Sequence, residues 1–275
     1  MQDEPEDTCV LAIGNLKGGV GKSTLTVGIA CALAAAGWPT IVLDTDPQAT
    51  STRWGSKQLL PAEVVSAPIR DFRDASDWVT QVNRLRDSAA FVLIDLPAVL
   101  TTALAAAAMV ADGLLVPAIV SEIDLVSLQR TLHYLGVARR ERGDGLPGAL
   151  IVPTRIDKPG MLLRRQVDFG RLPDLGERLA PPLFHDRLHR EAFAAGRWVG
   201  DLEPGGSAHR DLLAIMDATT SLLRARRPLP AKSTAMRGEG RDVSAALAYL
   251  QRRGERRTTG SGLFSRAGRM VGSSS

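Results

Sequence analysis

Apolar and polar positions alternate along the chain in two rhythms. Short, continuously apolar runs stand at Cys9–Gly14, Thr40–Leu43, Phe91–Ile94, Gly113–Val120 and Ala149–Pro153. Runs of this kind, roughly four to eight residues long, mark strands buried on both faces. Between them lie longer stretches with apolar residues at helical spacing: Lys22–Ala36, Asp74–Arg86, Thr101–Ala111, Leu125–Arg142 and Leu162–Gly170. The first should end at Gly37, and a last helix at about Ala208–Arg226 closes the series. Strands alternating with helices predict parallel βαβ units with right-handed crossovers. The expected fold is α/β, a mostly parallel twisted sheet flanked by helices on both faces.

Composition narrows the class. The 275 residues are 44% hydrophobic and 23% charged, which supports a sizeable core and excludes a chain disordered throughout. No apolar stretch reaches the roughly 18 residues that read as a membrane-spanning helix. Two cysteines, Cys9 and Cys31, cannot build a disulfide framework, so a reducing cytoplasm is expected. They fall in the first predicted strand and helix, as core residues, and leave no thiolate pair for an iron-sulfur cluster.

Charge divides the chain. The net charge is +4, but residues 228–275 hold nine basic side chains against three acidic ones, so the rest of the chain is slightly acidic. We therefore expect a short acidic leader at 1–8, a folded domain at 9–227, and a basic, Gly/Ser-rich, largely disordered tail at 228–275. Within the tail, Val243–Arg253 could form one amphipathic helix. Clustered arginines on such an arm suit a polyanion through counterion release, and a solvated linker reads from the same residues.

Directly after the first strand comes Gly14-Asn15-Leu16-Lys17-Gly18-Gly19-Val20-Gly21-Lys22-Ser23-Thr24. It nearly satisfies the phosphate-loop pattern G-x-x-x-x-G-K-[ST], with Leu16 where the first glycine normally stands. Backbone N–H groups from Gly18 to Ser23 would point at a β-phosphate, helped by the positive end of the following helix. Lys22 would reach the β- and γ-oxygens, and the Ser23 hydroxyl would sit on Mg²⁺. Thr24 completes the candidate cradle with Gly19, Val20 and Gly21.

The run Lys17-Gly18-Gly19-Val20-Gly21-Lys22-Ser23 resembles the deviant Walker A box of the family that includes ParA partition ATPases, MinD-type ATPases and the nitrogenase iron protein. The resemblance implies ATP and Mg²⁺ as ligands and a homodimer formed on ATP binding. It assigns Lys17 to the partner's phosphates, a cation delivered in trans as an arginine finger is. Asp44-Thr45-Asp46-Pro47-Gln48 is similar to the family's switch, which implies that Asp46 orients the attacking water and meets the metal's shell. Asp44, two residues earlier, is either its partner or a helix cap. Phe91-Val92-Leu93-Ile94-Asp95-Leu96-Pro97 resembles the Walker B strand, placing Asp95 on Mg²⁺. Leu114-Leu115-Val116-Pro117 and Ser121-Glu122-Ile123-Asp124-Leu125 resemble the next strand and helix entry.

Within the family the chain resembles the small ParA proteins of plasmid and chromosome partition that lack an N-terminal DNA-reading domain, through the switch, the nearby Trp54 and Thr154-Arg155. That implies nonspecific DNA binding, a ParB-like or ribbon-helix-helix adaptor that stimulates hydrolysis, and a cytoplasmic, nucleoid-associated location. Arg187, Arg190 and Arg197 around a short helix beyond the last strand are candidate DNA contacts, with Arg224, Arg226 and Arg227 at the end of the closing helix. The same arginines read individually as helix-end charges. Trp54, Trp78 and Trp198 read as core or interface aromatics, and His185, His189 and His209 as surface residues without metal spacing. Three other readings stay open. One is a MinD-like membrane-cycling ATPase, for which Leu263, Phe264, Met270 and Val271 make a poor anchor, so stable membrane association is not expected. Another is ParA-like positioning of a non-DNA cargo. The last is a metabolic ligase or a binding module without turnover.

Overall fold

The computed structural model describes residues 8–69, 73–86, 88–98, 101–119, 121–156, 175–225, 228–230 and 232. The chain runs β1 (Cys9–Ile13), α1 (Lys22–Ala35), β2 (Thr40–Asp44), α2 (Thr50–Gly55), β3 (Glu63–Ser66), α3 (Arg73–Leu85), β4 (Phe91–Asp95) and α4 (Thr101–Val110). It continues through β5 (Gly113–Ile119), α5 (Glu122–Arg142), β6 (Gly148–Ile156), β7 (Arg178–Leu179), β8 (Leu183–Phe184), α6 (Leu188–Ala195), α7 (Val199–Leu202) and α8 (Ser207–Arg224). All strands pair in parallel in the order β3-β2-β4-β1-β5-β6-β7, with β8 also on β6.

β1 is central, between β4 and β5, which is why its five residues are apolar without alternation. Successive side chains leave it on opposite faces. Leu11 and Ile13 join the core under α1 and α8, while Val10 and Ala12 join the one built with α3, α4 and α5. The α1–α8 contact is close because Gly28 has no side chain: a Cβ there would lie 2.7 Å from the Leu212 methyls.

Within the described residues the expected strands and helices are present, most with bounds moved by a residue or two. The helices expected at Leu162–Gly170 and Val243–Arg253 lie outside the described residues. The sheet is wider than the pattern predicted, through the short edge strands β3, β7 and β8. Packing also runs past Arg227, the expected end of the domain. Leu229 lies against the core, Trp38 Nε1 donates to the Pro230 carbonyl at 3.0 Å, and Lys232 Nζ sits 4.3 Å from the Trp38 ring centroid. Trp54, Trp78 and Trp198 are buried, as are both cysteines.

Candidate nucleotide site

The carboxyl ends of β2, β4 and β1 lie in register, with Asp44 beside Asp95 and Asp95 beside Ile13. In open parallel sheets ligands bind outside these ends, where the strand order reverses. The glycine-rich loop of residues 14–21 follows directly. Gly19 and Gly21 have φ of 73° and 89°, a left-handed backbone that favours glycine. Gly21 caps α1, no heavy atom lies within 4 Å of where its side chain would begin, and the first turn carries no acidic residue. The positive dipole end of α1 thus begins at an open, glycine-lined turn, which is suited to phosphate.

Asn15, buried at the loop's base, organises it. Its Nδ2 donates to the Pro117 carbonyl of β5 at 2.8 Å, and its Oδ1 accepts from Lys17 N at 3.1 Å and Ser127 Oγ at 3.1 Å. The opposite wall is tied to β6, where Thr154 Oγ1 donates to the Val20 carbonyl at 2.9 Å.

Two lysines rise from the loop. Lys22, 7% exposed, donates from Nζ to the Lys17 carbonyl at 3.0 Å. Burial holds its pKa below the ordinary lysine value, and the charges of Asp95 and Asp46 oppose that shift. Lys17 Nζ forms an ion pair with Asp124, whose side chain is nearly buried, whereas the Lys17 side chain is 35% exposed. Asp124 is presented by the start of α5, where Ser121 Oγ accepts from Asp124 N at 3.3 Å and caps the helix.

The carboxylates differ in their surroundings. Asp95, 1% exposed, accepts from Ser51 Oγ at 2.7 Å and Thr26 Oγ1 at 3.3 Å. Burial raises its pKa to about 6, against hydrogen bonds from Ser51 and Ser23 that favour the charged form. Asp44 accepts from the backbone and hydroxyl of Thr52, both at 2.7 Å, and so caps α2, the cap alternative left open by the sequence. Burial pushes its pKa up as well. Asp46 is half-buried and accepts from Gln48 N at 2.8 Å; the turn closes at Ala49, a left-handed residue with φ of 51°.

Lys17, Lys22, Ser23, Asp46 and Asp95 therefore converge on one end of the sheet. Residues to which the sequence reading gave no role in the site also serve it: Asn15, Ser51, Thr52, Asp124 and Thr154. Of these, Asp124 carried a readable signal, the Ser-x-x-Asp cap at 121–124. An oxyanion-rich, hard-cation ligand fits this donor set of buried carboxylate, hydroxyls and lysines.

The candidate DNA contacts do not form one surface. Arg187, Arg190 and Arg197 are exposed around α6, beyond β8 and thus at the carboxyl end of the sheet. Arg224 is exposed at the far end of α8, whose neighbours Leu222 and Leu223 approach the starts of β6 and β5. Eighteen helical residues rise about 27 Å, which separates Arg224 from the other three. Arg226 and Arg227 lie outside the described residues. Two of the histidines read as surface residues are half-buried; His209 packs edge-on to Trp198 with centroids 5.0 Å apart.

A glycine-rich phosphate loop after the central strand, with acidic residues on the flanking strands, defines a P-loop nucleotide-binding fold. Residues 11–177 match the CobQ/CobB/MinD/ParA nucleotide binding domain, and the chain belongs to that family. It is 30% identical over 186 residues to the maintenance of carboxysome distribution protein A of Halothiobacillus neapolitanus, covering 66% of this chain and 80% of that protein. It is 31% identical over 108 residues to protein ParA of Rhizobium radiobacter, covering 39% of this chain and 47% of that protein. An ATP complex of McdA from Cyanothece has the same fold, with a TM-score of 0.62 at 18% identity over 78% of this chain and 97% of that one. Among the described residues, no helix is long and apolar enough to cross a membrane.

Proposed function

We propose that this protein is an ATPase that dimerises around ATP, binds DNA without regard to sequence in that state, and uses the cycle to position a protein cargo. The observation that carries the reading is Lys17: a second lysine in the phosphate loop, partly exposed and held by Asp124 of its own chain. Beside Lys22 it is surplus to a single site, and it suits delivery to a partner's phosphates. In dimerisation Lys17 leaves Asp124 and neutralises charge across the interface. Lys22 neutralises the β- and γ-phosphate oxygens within its own site. Ser23 and Asp95 would hold Mg²⁺, which when bound supplies further charge neutralisation for phosphoryl transfer. Asp46 orients the water that attacks.

The choice of a protein cargo is supported by the carboxysome-distribution relative, matched over most of its length. Plasmid or chromosome partition with a ParB-like or ribbon-helix-helix adaptor is the second reading, favoured by the shorter match to protein ParA. Either cycle needs an adaptor on the cargo that stimulates hydrolysis, and a nucleoid-associated cytoplasmic location. The exposed Arg187, Arg190 and Arg197 are the DNA contacts assigned to the folded domain. Light scattering and duplex binding with ATP, ADP and no nucleotide test the cycle; a dimer that binds DNA with ATP alone is expected. Deleting the gene separates the cargoes. Faithful DNA inheritance with one protein assembly collapsed from spaced foci into clusters is expected, whereas raised plasmid or chromosome loss would favour partition.

A further inference from the structure

One short helix touches both the carboxylates of the phosphate site and the arginine-bearing α6. α2 follows the switch run of residues 44–48 almost directly. Its first turn is held by two buried carboxylates. Ser51 Oγ donates to Asp95 at 2.7 Å, and Thr52 donates to Asp44 from N and from Oγ1, each at 2.7 Å. Six helical residues rise about 9 Å, which carries the other end of α2 away from those oxygens.

That end, with the turn after it, holds α6. Trp54 is buried, donates from Nε1 to the Arg197 carbonyl at 2.7 Å, and packs edge-on to Phe193 with centroids 5.5 Å apart. Lys57 Nζ donates to the Ala194 carbonyl at 3.0 Å. The last four carbonyls of a helix have no partner within it, so Lys57 satisfies a group that α6 cannot satisfy itself. The approach is closest at Gly196, the left-handed cap of α6, where a Cβ would lie 2.7 Å from Lys57 Cδ and 3.0 Å from its Cβ. Trp54 and Lys57 have no part in the phosphate chemistry described above.

We propose that Trp54 and Lys57 are positioning residues that couple α6, and with it Arg187, Arg190 and Arg197, to the occupancy of the site beside Asp44 and Asp95. Coupling between distant sites is carried by packed and hydrogen-bonded groups on rigid elements. Here the chain of contacts is continuous: Asp95 to Ser51, one helical turn from Ser51 to Trp54, and Trp54 to Arg197. Charge that a ligand places against the two carboxylates acts on the start of α2, and the far end of α2 passes the effect to the arginines. The inference rests on the nucleotide reading of the site and goes beyond it by naming what links that site to the proposed DNA contacts.

Hydrogen exchange of the full chain, with and without Mg²⁺ and the non-hydrolysable ATP analogue AMPPNP, tests it in wild type, Trp54→Phe, Lys57→Met and Trp38→Phe. Trp54→Phe keeps a ring beside Phe193 and loses the donor, and Lys57→Met keeps the stem beside Gly196 and loses the ammonium. Trp38→Phe makes the same chemical change as the first, at a tryptophan that bonds the Pro230 carbonyl instead. In wild type the ligand should slow exchange at the amides of residues 188–196 by about fivefold or more. Trp54→Phe should lose most of that slowing and Lys57→Met part of it, whereas Trp38→Phe should keep it. Ligand protection of residues 14–23 should persist in all four. Affinity for a random-sequence duplex should follow α6: the gain on adding AMPPNP should shrink about fivefold in Trp54→Phe and stay unchanged in Trp38→Phe. Equal slowing at α6 in all four chains, as global stabilisation by a ligand gives, would overturn the proposal. A wild type protected at the loop but not at α6 would overturn it too. A wild type protected at neither would overturn the nucleotide reading itself.

Discussion

At the amino-terminal end of the sheet, Asp112 accepts a hydrogen bond from Val10 N at 2.7 Å, and Arg86 and Arg142 donate to the carbonyls that end α4. At the carboxyl end, burial pushes Asp95 and Asp44 above the ordinary carboxylate range and Lys22 below that of lysine. At the first end Asp112, Arg86 and Arg142 meet backbone partners and hold the fold together. At the second, burial outweighs the partners the chain supplies, and left-handed Ala49 and Arg155 border the loop. Destabilised groups collected at one end of a sheet mark a site whose remaining partners come from a ligand.

Lys22→Ala should break the carboxyl end most severely. Loss of its cation should lower turnover on the order of a hundredfold or more, read as phosphate release. Lys17→Ala should bind ADP within about threefold of wild type yet lose turnover on the order of a hundredfold, because its loss falls on the partner's site. Mixing sharpens this prediction. Lys17→Ala and Asp46→Asn chains, each inactive alone, should regain part of the wild-type rate together, since the mixed dimer contains one site with Asp46 and a partner's Lys17. Failure to regain activity, when mixed dimers form, would remove the trans role.

Asp95→Asn follows, with a smaller effect that depends on pH. Burial raises Asp95 from 3.8 to about 6 in the folded chain, so the stability its neutral form gives is fully present below about pH 4. It is lost as pH rises through about 6, where the charged form predominates. An uncharged amide avoids that loss. The nucleotide-free variant should therefore melt a few degrees above wild type near pH 8 and show no gain near pH 4. Scanning calorimetry across that range reads it, and an equal shift at both pH values would locate the effect in packing instead.

How much of this was legible in the sequence follows from how local each feature is. The strand, loop and helix of residues 9–35 are contiguous, so apolar pattern, glycines and lysines could be read together. Asp46 and Asp95 were legible as endings of apolar runs. The structural roles of Asn15 and Thr154 were not, because they depend on partners more than a hundred residues away. β3 is a four-residue edge strand with a single buried position, too short for a period to register. The arginines misled for the same reason in reverse. Residues 187–227 are close in sequence, but α8 carries Arg224 to the opposite end of the sheet.

The smallest effect belongs to the amino-terminal end and tests whether the two ends are independent. α1 joins them: its start carries Lys22 and, about 21 Å on, its end leads into Trp38. Trp38→Phe keeps most of the ring that packs edge-on to Phe91 and removes the donor to the Pro230 carbonyl. A net loss of about 1 kcal/mol is expected for that hydrogen bond, a fall in melting temperature of roughly 2–4 °C. ADP affinity should not change, because α1 is locked along its length by Gly28 against Leu212 and by the core beneath. A shift in ADP affinity without a larger fall in stability would mean that the docking of Leu229–Lys232 is felt at the phosphate loop. The contrast between a structural end and a functional end would then fail, and the basic tail beyond Lys232 would become part of the nucleotide cycle.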